Sequence, residues 1–287
     1  MKTKSLIIDY WWLVLISFVL FIIIAFIIGN IRLKKRITSE IDEIMDKETI
    51  LSENLNTIKA EDLEGLPVVV RKWLTSVGVI GQERVRFIKF SQRGQMKLNQ
   101  DQEEWINAKA KQYVRLHEPA FLWHVDLPML PMINTKGRDH FINGKASMQV
   151  YIGSLIPVVN VKNNEKTNES SLSRFLLELP LYPTAALEEY IIWEGTDELS
   201  AKAILSYNNM TVEAIFCFDE KSKLRRIEAL RYKENDEKAK RIPCFGEIKA
   251  YETFGGMKIP SKIDITWLLN DGEYTWYKLE IYDYKTK

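Results

Sequence analysis

Three histidines, His117, His124 and His140, are the side chains in this sequence best suited to binding a metal ion. A metal site would need two of them to converge with a carboxylate such as Asp126 or Asp139. Their spacing matches no metal-binding motif, so isolated histidines at the surface or in the core are the favoured interpretation. We therefore predict no metal site and no cofactor.

Other patterns that could support catalysis are absent or weak. The sequence contains no G-x-S-x-G, no H-E-x-x-H, no P-loop and no G-x-G-x-x-G after a strand. Glu103-Glu104 and Glu188-Glu189 are adjacent pairs, so on a strand their carboxylates point to opposite faces. Cys217 and Cys244 lack C-x-x-C spacing, and two free thiols are favoured over one disulfide. We predict no catalytic residues and a protein that is not an enzyme.

Aromatic side chains on predicted strands are the strongest candidates for ligand binding. Ile263, Ile265 and Trp267 share one strand face, and the last strand, Tyr274–Tyr284, carries bulky groups on both faces. One face can pack on helices, while the other could line a cavity for an apolar ligand. The alternative is a packed core with ordinary exposed aromatic residues. The ligand-binding candidates are Trp123, Trp267 and Trp276.

An apolar run from Tyr10 to Ile28 predicts a membrane anchor. Its nineteen residues form a helix of about 28 Å, close to the thickness of a bilayer's hydrocarbon core. No small-residue cleavage site follows it, so we expect a single-pass protein that keeps its anchor. Basic residues slightly favour a cytoplasmic C-terminal domain: Lys2 and Lys4 precede the run, and four basic residues follow it from Arg32 to Arg36.

The chain divides into an anchor at residues 1–31, an acidic helical connector at 32–64 and a β domain at 65–287. Apolar residues from Ile37 to Ile58 recur at helical spacing. This stripe either packs on the protein's own domain or pairs two chains as a short coiled coil, giving a homodimer. The formal net charge is +1, which argues against a nucleic-acid partner.

From Val85 onward the apolar residues mostly alternate, which predicts strands. Gly94 suggests a bulge in the first strand, and Ser147–Val161 follows the Asn143-Gly144 hairpin turn as one strand-like run. Asn270-Asp271-Gly272 predicts a second hairpin. Three helical segments accompany the strands: Val68–Val77 comes before them, and Ser171–Leu179 and Pro183–Glu189 lie among them. We expect Ser171 or Ser173 to cap the second of these helices. A mainly β (α+β) fold follows: a large curled antiparallel sheet, or half-barrel, of roughly ten strands with short helices.

Several strings occur in an order that is typical of a known family. They are Leu66-Pro67-Val68-Val69-Val70-Arg71-Lys72-Trp73-Leu74, Gln92-Arg93-Gly94-Gln95-Met96, Trp105, Pro119-Ala120-Phe121-Leu122-Trp123, Leu179-Pro180-Leu181-Tyr182-Pro183 and Phe254-Gly255-Gly256-Met257-Lys258-Ile259-Pro260. Between Leu66 and Tyr282 the chain resembles an uncharacterised bacterial family of membrane-anchored domains. The expected architecture is also similar to the half-barrel of bacterial lipoprotein carriers, which implies shelter for acyl chains and a domain outside the cell.

These patterns leave three functional hypotheses, the last of which is an enzyme with no recognisable motif. The first is a membrane-anchored β domain that binds a lipid or another apolar ligand. The second is an envelope scaffold that meets a protein partner through its sheet edge or its connector helix. The two resemblances do not identify a ligand, and the charge pattern and the carrier resemblance favour opposite sides of the membrane.

Overall fold

The computed structural model describes residues 11–45, 56–130 and 133–287, which form a mainly β structure with a few helices. The helices are α1 (Trp11–Ile44), α2 (Val68–Val77) and α3 (Glu165–Leu177), and short 3₁₀ turns lie at Ala60–Leu63, Leu179–Leu181 and Pro183–Leu187. The strands are β1 (Phe87–Met96), β2 (Ile106–Arg115), β3 (Ala120–Leu130), β4 (Ile133–Ile142), β5 (Lys145–Ile152), β6 (Ile156–Lys162), β7 (Ile191–Gly195), β8 (Ser200–Tyr207), β9 (Met210–Phe218), β10 (Leu224–Tyr232), β11 (Arg241–Phe254), β12 (Met257–Leu269) and β13 (Gly272–Thr286).

The predicted curled antiparallel sheet is confirmed, with thirteen strands in the described chain instead of about ten. Their order is β6-β5-β4-β3-β2-β1-β13-β12-β11-β10-β9-β8-β7. Ser147–Val161 is two strands, because Gly153 and Ser154 both adopt positive φ angles and turn the chain. The Asn143-Gly144 and Asn270-Asp271-Gly272 hairpins are confirmed, since each joins antiparallel neighbours.

The sheet curls far enough for two distant hairpin turns to meet. A Cβ atom at Gly144, between β4 and β5, would lie 2.8 Å from the Cβ of Asn208, between β8 and β9. The hydroxyl of Tyr190, just before β7, also donates a hydrogen bond to the carbonyl of Leu116, just after β2. The concave face thereby becomes an enclosed layer, which α2, α3 and the 3₁₀ turns after α3 fill.

Gly94 permits a close approach of β1 to β13 and does not form the predicted bulge. The register shift in this pair lies between Lys89 and Ser91, and Gly94 pairs with Leu279 without interruption. A Cβ atom at Gly94 would lie 2.0 Å from the backbone oxygen of Lys278. Glycine therefore fits this position because it has no side chain to collide with the neighbouring strand.

Two of the three predicted helices of the β domain form as α-helices, and the third, Pro183–Glu189, is the 3₁₀ turn Pro183–Leu187. The helix Val68–Val77 is confirmed and ends at Gly78, whose φ of 83° is left-handed. The second helix, α3, starts at Glu165, well before the predicted Ser171 or Ser173 cap. Asn164 caps it instead, because its side chain accepts a hydrogen bond from the Thr167 amide at 3.2 Å.

Helix α1 is a single helix with two different environments; Tyr10, the first residue of the predicted anchor, lies outside the described residues. Most of its apolar side chains from Trp11 to Ile28 are exposed. Farther along, one face of α1 lies on the convex side of the sheet, opposite α3. Ile37, Ile41 and Ile44 pack there against Ala120 and Leu122 of β3.

The described part of the predicted connector stripe thus packs on the protein's own domain. Residues 46–55, which hold its middle, lie outside the described residues. The helical prediction does not hold at its end, where Thr57 forms a β-bridge with Glu83 and Ile58 is buried in the main core. The coiled-coil alternative would have to use the face of α1 that β3 already covers, so a homodimer through this stripe gains no support.

A buried ion pair fixes α1 to the sheet. Arg138 of β4, whose side chain is 2% exposed, donates two hydrogen bonds to the Glu40 carboxylate, one of them from Nε at 2.5 Å. Its remaining nitrogen contacts Ser147 Oγ at 2.7 Å. Two parallel bonds between planar groups restrain both distance and orientation, so α1 cannot rotate on the sheet without breaking them.

We predict that Gly94→Ala destabilises the protein while Gly246→Ala, a matched control on β11, has little effect. The new methyl group at Gly94 collides with backbone that cannot move aside, whereas at Gly246 it would meet only side chains at 3.5 Å. Overpacking of this kind costs about 1–3 kcal/mol. Denaturant unfolding of the full chain in detergent measures the difference. Equal effects of the two substitutions would contradict the proposed close approach.

We also predict that Glu40→Ala lowers the free energy of unfolding by about 3 kcal/mol, because it leaves the Arg138 charge buried without a partner. The control is Glu43→Ala, one turn along α1, where a 53% exposed carboxylate lies 4.0 Å from His140. Burial lowers the pKa of His140 to about 4, so its imidazole is neutral near pH 7 and this contact is worth less than about 1 kcal/mol. The same unfolding titration compares the two variants, and a Glu40→Ala protein as stable as Glu43→Ala would show that the ion pair does not hold α1.

Candidate functional site

The three candidate tryptophans lie on the concave side of the sheet, in two different clusters. Trp267 belongs to a small cluster on β11–β13, Trp123 belongs to the main core, and Trp276 packs against both. Tyr277 connects the two regions, since its ring centroid is 6.4 Å from that of Trp123 and 5.5 Å from that of Trp276. The structure thus brings two of the three predicted residues together and places the third one aromatic ring away.

Trp123 has its polar requirements met inside the protein. Its side chain is 6% exposed, and its indole N–H donates to Gln92 Oε1 at 2.9 Å. The Tyr277 hydroxyl donates to the same oxygen at 3.0 Å. The guanidinium of Arg174, from α3, lies 5.0 Å above the indole ring. In this geometry Trp123 packs as a core residue, and a ligand contact for it stays a prediction of the sequence.

Arg174 is the centre of a buried polar network in which two carboxylates surround one guanidinium. It donates to Asp139 at 2.8 Å and to Glu178 at 2.8 Å. Burial raises the pKa of Asp139, although Arg174 and Arg138 oppose the rise. Burial alone would lower the pKa of Arg174, but Glu178 and Asp139 together raise it, so the guanidinium stays charged. Because two carboxylates already bind Arg174, it has little capacity left for a ligand.

The Trp267 cluster combines aromatic and aliphatic side chains next to Leu177, the last residue of α3. Cys244, Trp267 and Tyr274 are its buried members. Leu177, Ile242, Ile265, Leu269 and Trp276 pack around them. The Tyr274 hydroxyl donates to the backbone oxygen of Lys97 at 2.8 Å, which leaves the interior of the cluster apolar. A surface of this composition suits a hydrocarbon chain.

Arg231 of β10 brings a positive charge to this apolar cluster. Its guanidinium carbon lies 5.3 Å from the Trp267 ring centroid. One terminal nitrogen contacts Cys244 Sγ at 3.6 Å, and the other donates to the Ser170 carbonyl at 3.0 Å. Within the described chain, its Nε is buried without a hydrogen-bond partner. No carboxylate there lies within ion-pair distance, although Arg231 is near enough to Asp139 to oppose the rise in the pKa of that carboxyl. Unlike Arg174, Arg231 retains a charge that an anion could neutralise.

Trp276 supplies a second buried donor without a partner. Its indole Nε1 is shielded from solvent and has no acceptor among the described residues. An unsatisfied buried N–H costs about 1–3 kcal/mol, so such a group usually has a partner that is part of the working protein. Burial also raises the pKa of the Cys244 thiol, and Arg231 opposes that rise. The thiol therefore stays neutral beside Arg231 and does not balance its charge.

The other predicted residues do not form a catalytic arrangement. His117 stacks edge-on with Phe87, His124 stacks with Tyr113, and His140 lies beside Glu43 beneath α1. In the residues that the structure describes, no three His, Cys, Asp or Glu side chains are grouped as metal ligands. Cys217 and Cys244 are both free thiols.

Two surface depressions lie away from the tryptophans. One, of about 550 Å³, is an open hollow on the convex face and includes Arg93, Lys109, Lys262 and Glu280. The other, of about 230 Å³, lies between α1 and β3–β5 and includes Ile37, Thr38, His124 and Tyr151. Neither depression is lined by Trp123, Trp267 or Trp276.

Sequence reasoning missed Arg231, although its position carried a detectable pattern. Ile227, Ala229 and Arg231 alternate along β10 and therefore share the face that packs on α3. A charged residue in the third position of a buried face is unusual unless it has a partner. That break in the alternation could have marked Arg231 as a candidate.

Comparisons with known proteins identify a family but not an activity. None of the curated proteins matches this sequence. The crystal structure of a LolA superfamily protein from Nitrosomonas europaea matches with a TM-score of 0.41 and 9% identity over 80% of this chain and 94% of that one. The model of DUF6920, a family of unknown function, matches residues 64–285. The family resemblance seen between Leu66 and Tyr282 is confirmed, and the chain belongs to the DUF6920 family of unknown function.

Proposed function

We propose that the protein is anchored in a membrane by α1 and binds an anionic amphiphile, such as a fatty acid or an anionic lipid, at the Trp267 cluster. The observation that carries this proposal is Arg231, a guanidinium on an apolar cluster with a buried Nε that has no partner. A ligand with one negative group and a hydrocarbon chain matches both properties. The exposed apolar edge strand β6 is the observation that favours the second hypothesis, an envelope scaffold.

The anchor part of the proposal rests on α1. Within the described chain, it is the one helix long and apolar enough to cross a membrane, and most of its apolar segment is exposed. Exposed apolar residues along nearly twenty positions are unfavourable in water, whereas they are favourable in lipid. The ion pair between Glu40 and Arg138 would then keep the β domain next to the bilayer that supplies the ligand.

The ligand part of the proposal assigns separate roles to the cluster residues. Arg231 Nε and Trp276 Nε1 would donate hydrogen bonds to the negative head group, and the rings of Trp267 and Tyr274 would contact the chain. A charge-assisted bond is stronger than a neutral one, so Arg231 would supply most of the preference for an anion. Entry would require Leu177, at the end of α3, to move away from Trp276.

We predict that oleate binds the full-length protein in nanodiscs and changes the environment of Trp267 and Trp276. The protein has eight tryptophans, so labelling with 5-fluorotryptophan gives one ¹⁹F resonance for each, assigned through single Trp→Phe variants. The resonances of Trp267 and Trp276 should shift saturably, while that of Trp193, which packs beside α2, should not. Oleyl alcohol, which lacks the charge, should bind more weakly.

Arg231→Gln should weaken oleate binding by about tenfold to a hundredfold, the equivalent of one lost charged hydrogen bond. The matched control is Arg226→Gln on the opposite face of β10, where Glu228 already pairs with the arginine at 2.9 Å. The control should bind oleate as the unmodified protein does. Equal affinity of the two variants, or no shift at Trp267 and Trp276, would refute the proposed ligand site.

A further inference from the structure

We propose that the β5–β6 hairpin enters the surface of the bilayer beside α1 and gives the protein a second membrane contact. The occupant of this surface is lipid at the boundary between head groups and acyl chains. This inference rests on the anchor role proposed for α1, and it concerns a different part of the molecule from the Trp267 cluster.

The hairpin turn touches α1 within the predicted membrane span. A Cβ atom at Gly153 would lie 2.0 Å from Cε1 of Phe26, so the turn lies directly on that ring. One helical turn later, a Cβ atom at Gly29 would lie 2.9 Å from the backbone oxygen of Ser154. Phe26 belongs to the apolar run that ends at Ile28. A helix that crosses the bilayer up to Ile28 therefore carries this turn to the same depth.

The side chains around the turn are apolar and exposed, as a lipid contact requires. Ile152, Leu155, Ile156 and Val158 are all exposed large hydrophobic residues, and Ile156 keeps 51% of its surface. Farther from the turn, β6 becomes polar, with exposed Asn160 and Lys162. This change along one strand matches a hairpin whose tip lies in lipid and whose base lies in water.

Strand β6 is also an edge of the sheet, so one side of its backbone has no neighbouring strand. An exposed apolar edge strand in water promotes aggregation. Pro157 has no N–H group, so this strand has one donor fewer to satisfy in a less polar environment. Lipid head groups can accept hydrogen bonds from those that remain.

The charges on α1 set the depth of the hairpin. Arg32, Lys34 and Lys35 follow the apolar run directly and are exposed. Basic side chains prefer the head-group region, where anionic lipids attract them. The turn contacts α1 at Phe26 and Gly29, one to two helical turns before these residues, and so lies just below the head groups.

The test places an environment-sensitive NBD fluorophore at single cysteines in the full-length protein, in vesicles of phosphatidylcholine and phosphatidylglycerol. Cys217→Ser is the background, because Cys244 is buried and unreactive. Ile156→Cys reports on the hairpin, and Phe18→Cys reports on the exposed face of the anchor helix. Ile192→Cys is the matched control, since Ile192 is a 61% exposed isoleucine on β7, the opposite edge strand.

Lipids with a nitroxide near the head group should quench the label at 156, and aqueous iodide should not. A deep nitroxide should quench the label at 18, and iodide alone should quench the label at 192. Iodide quenching at 156 with normal lipid quenching at 18 would overturn the hairpin contact and leave the anchor intact. Protection of 156 from both quenchers would also overturn it and indicate a protein partner. Iodide quenching at 18 would refute the anchor and this inference together.

Discussion

The pairing of β1 with β13 is the contact on which the rest of the structure depends. The two meanders, β1–β6 and β7–β13, are each built from hairpins between neighbours in sequence, and this pair alone joins them edge to edge. It links residues that are nearly the whole β domain apart, such as Ile88 and Thr286. Without this pairing the two meanders would be separate sheets, and no continuous concave face would enclose α3.

Two local features at Gly94 and its neighbour Arg93 determine how β1 pairs with β13. The close approach there sets the distance between the two meanders, and the ion pair of Arg93 with Glu280 at 2.8 Å spans the same place. Once the meanders are joined, the sheet can curl until the turns at Gly144 and Asn208 meet. Arg174 belongs to α3, and Arg231 contacts α3 at the Ser170 carbonyl, so both lie in the enclosed layer with different numbers of carboxylate partners.

Local patterns in the sequence predicted most of the strands and hairpins, because two strands joined by a short turn pair as antiparallel neighbours. The helix Val68–Val77 was also predictable, because the residues that mark its start and its end, Pro67 and Gly78, lie next to it in the chain. The start of α3 was not, because the Asn164 cap lies in a polar stretch that resembles a loop. The β5–β6 turn was not predicted because apolar residues flank Gly153 and Ser154 on both sides. Flanking residues of this kind suit a membrane contact better than a water-exposed turn.

The candidate site was predictable only in part, because its main feature is Arg231, an arginine without a carboxylate in an ion pair with it among the described residues. Trp267 and Trp276 stood out as aromatic residues on strands, and the structure places them together. Arg231 is one of 40 basic residues, and only the three-dimensional arrangement reveals that it lacks a carboxylate while Arg174 has two. Pairing between distant residues cannot be inferred from spacing along the chain.

Native mass spectrometry of the full-length protein, extracted gently from membranes and released from detergent, tests the central claim most directly. The unmodified protein should carry one anionic amphiphile, the Arg226→Gln protein should carry the same species, and the Arg231→Gln protein should carry much less of it. An unmodified protein found only without ligand, or the same adduct at the same level on Arg231→Gln, would contradict a role for Arg231 in binding an anionic amphiphile.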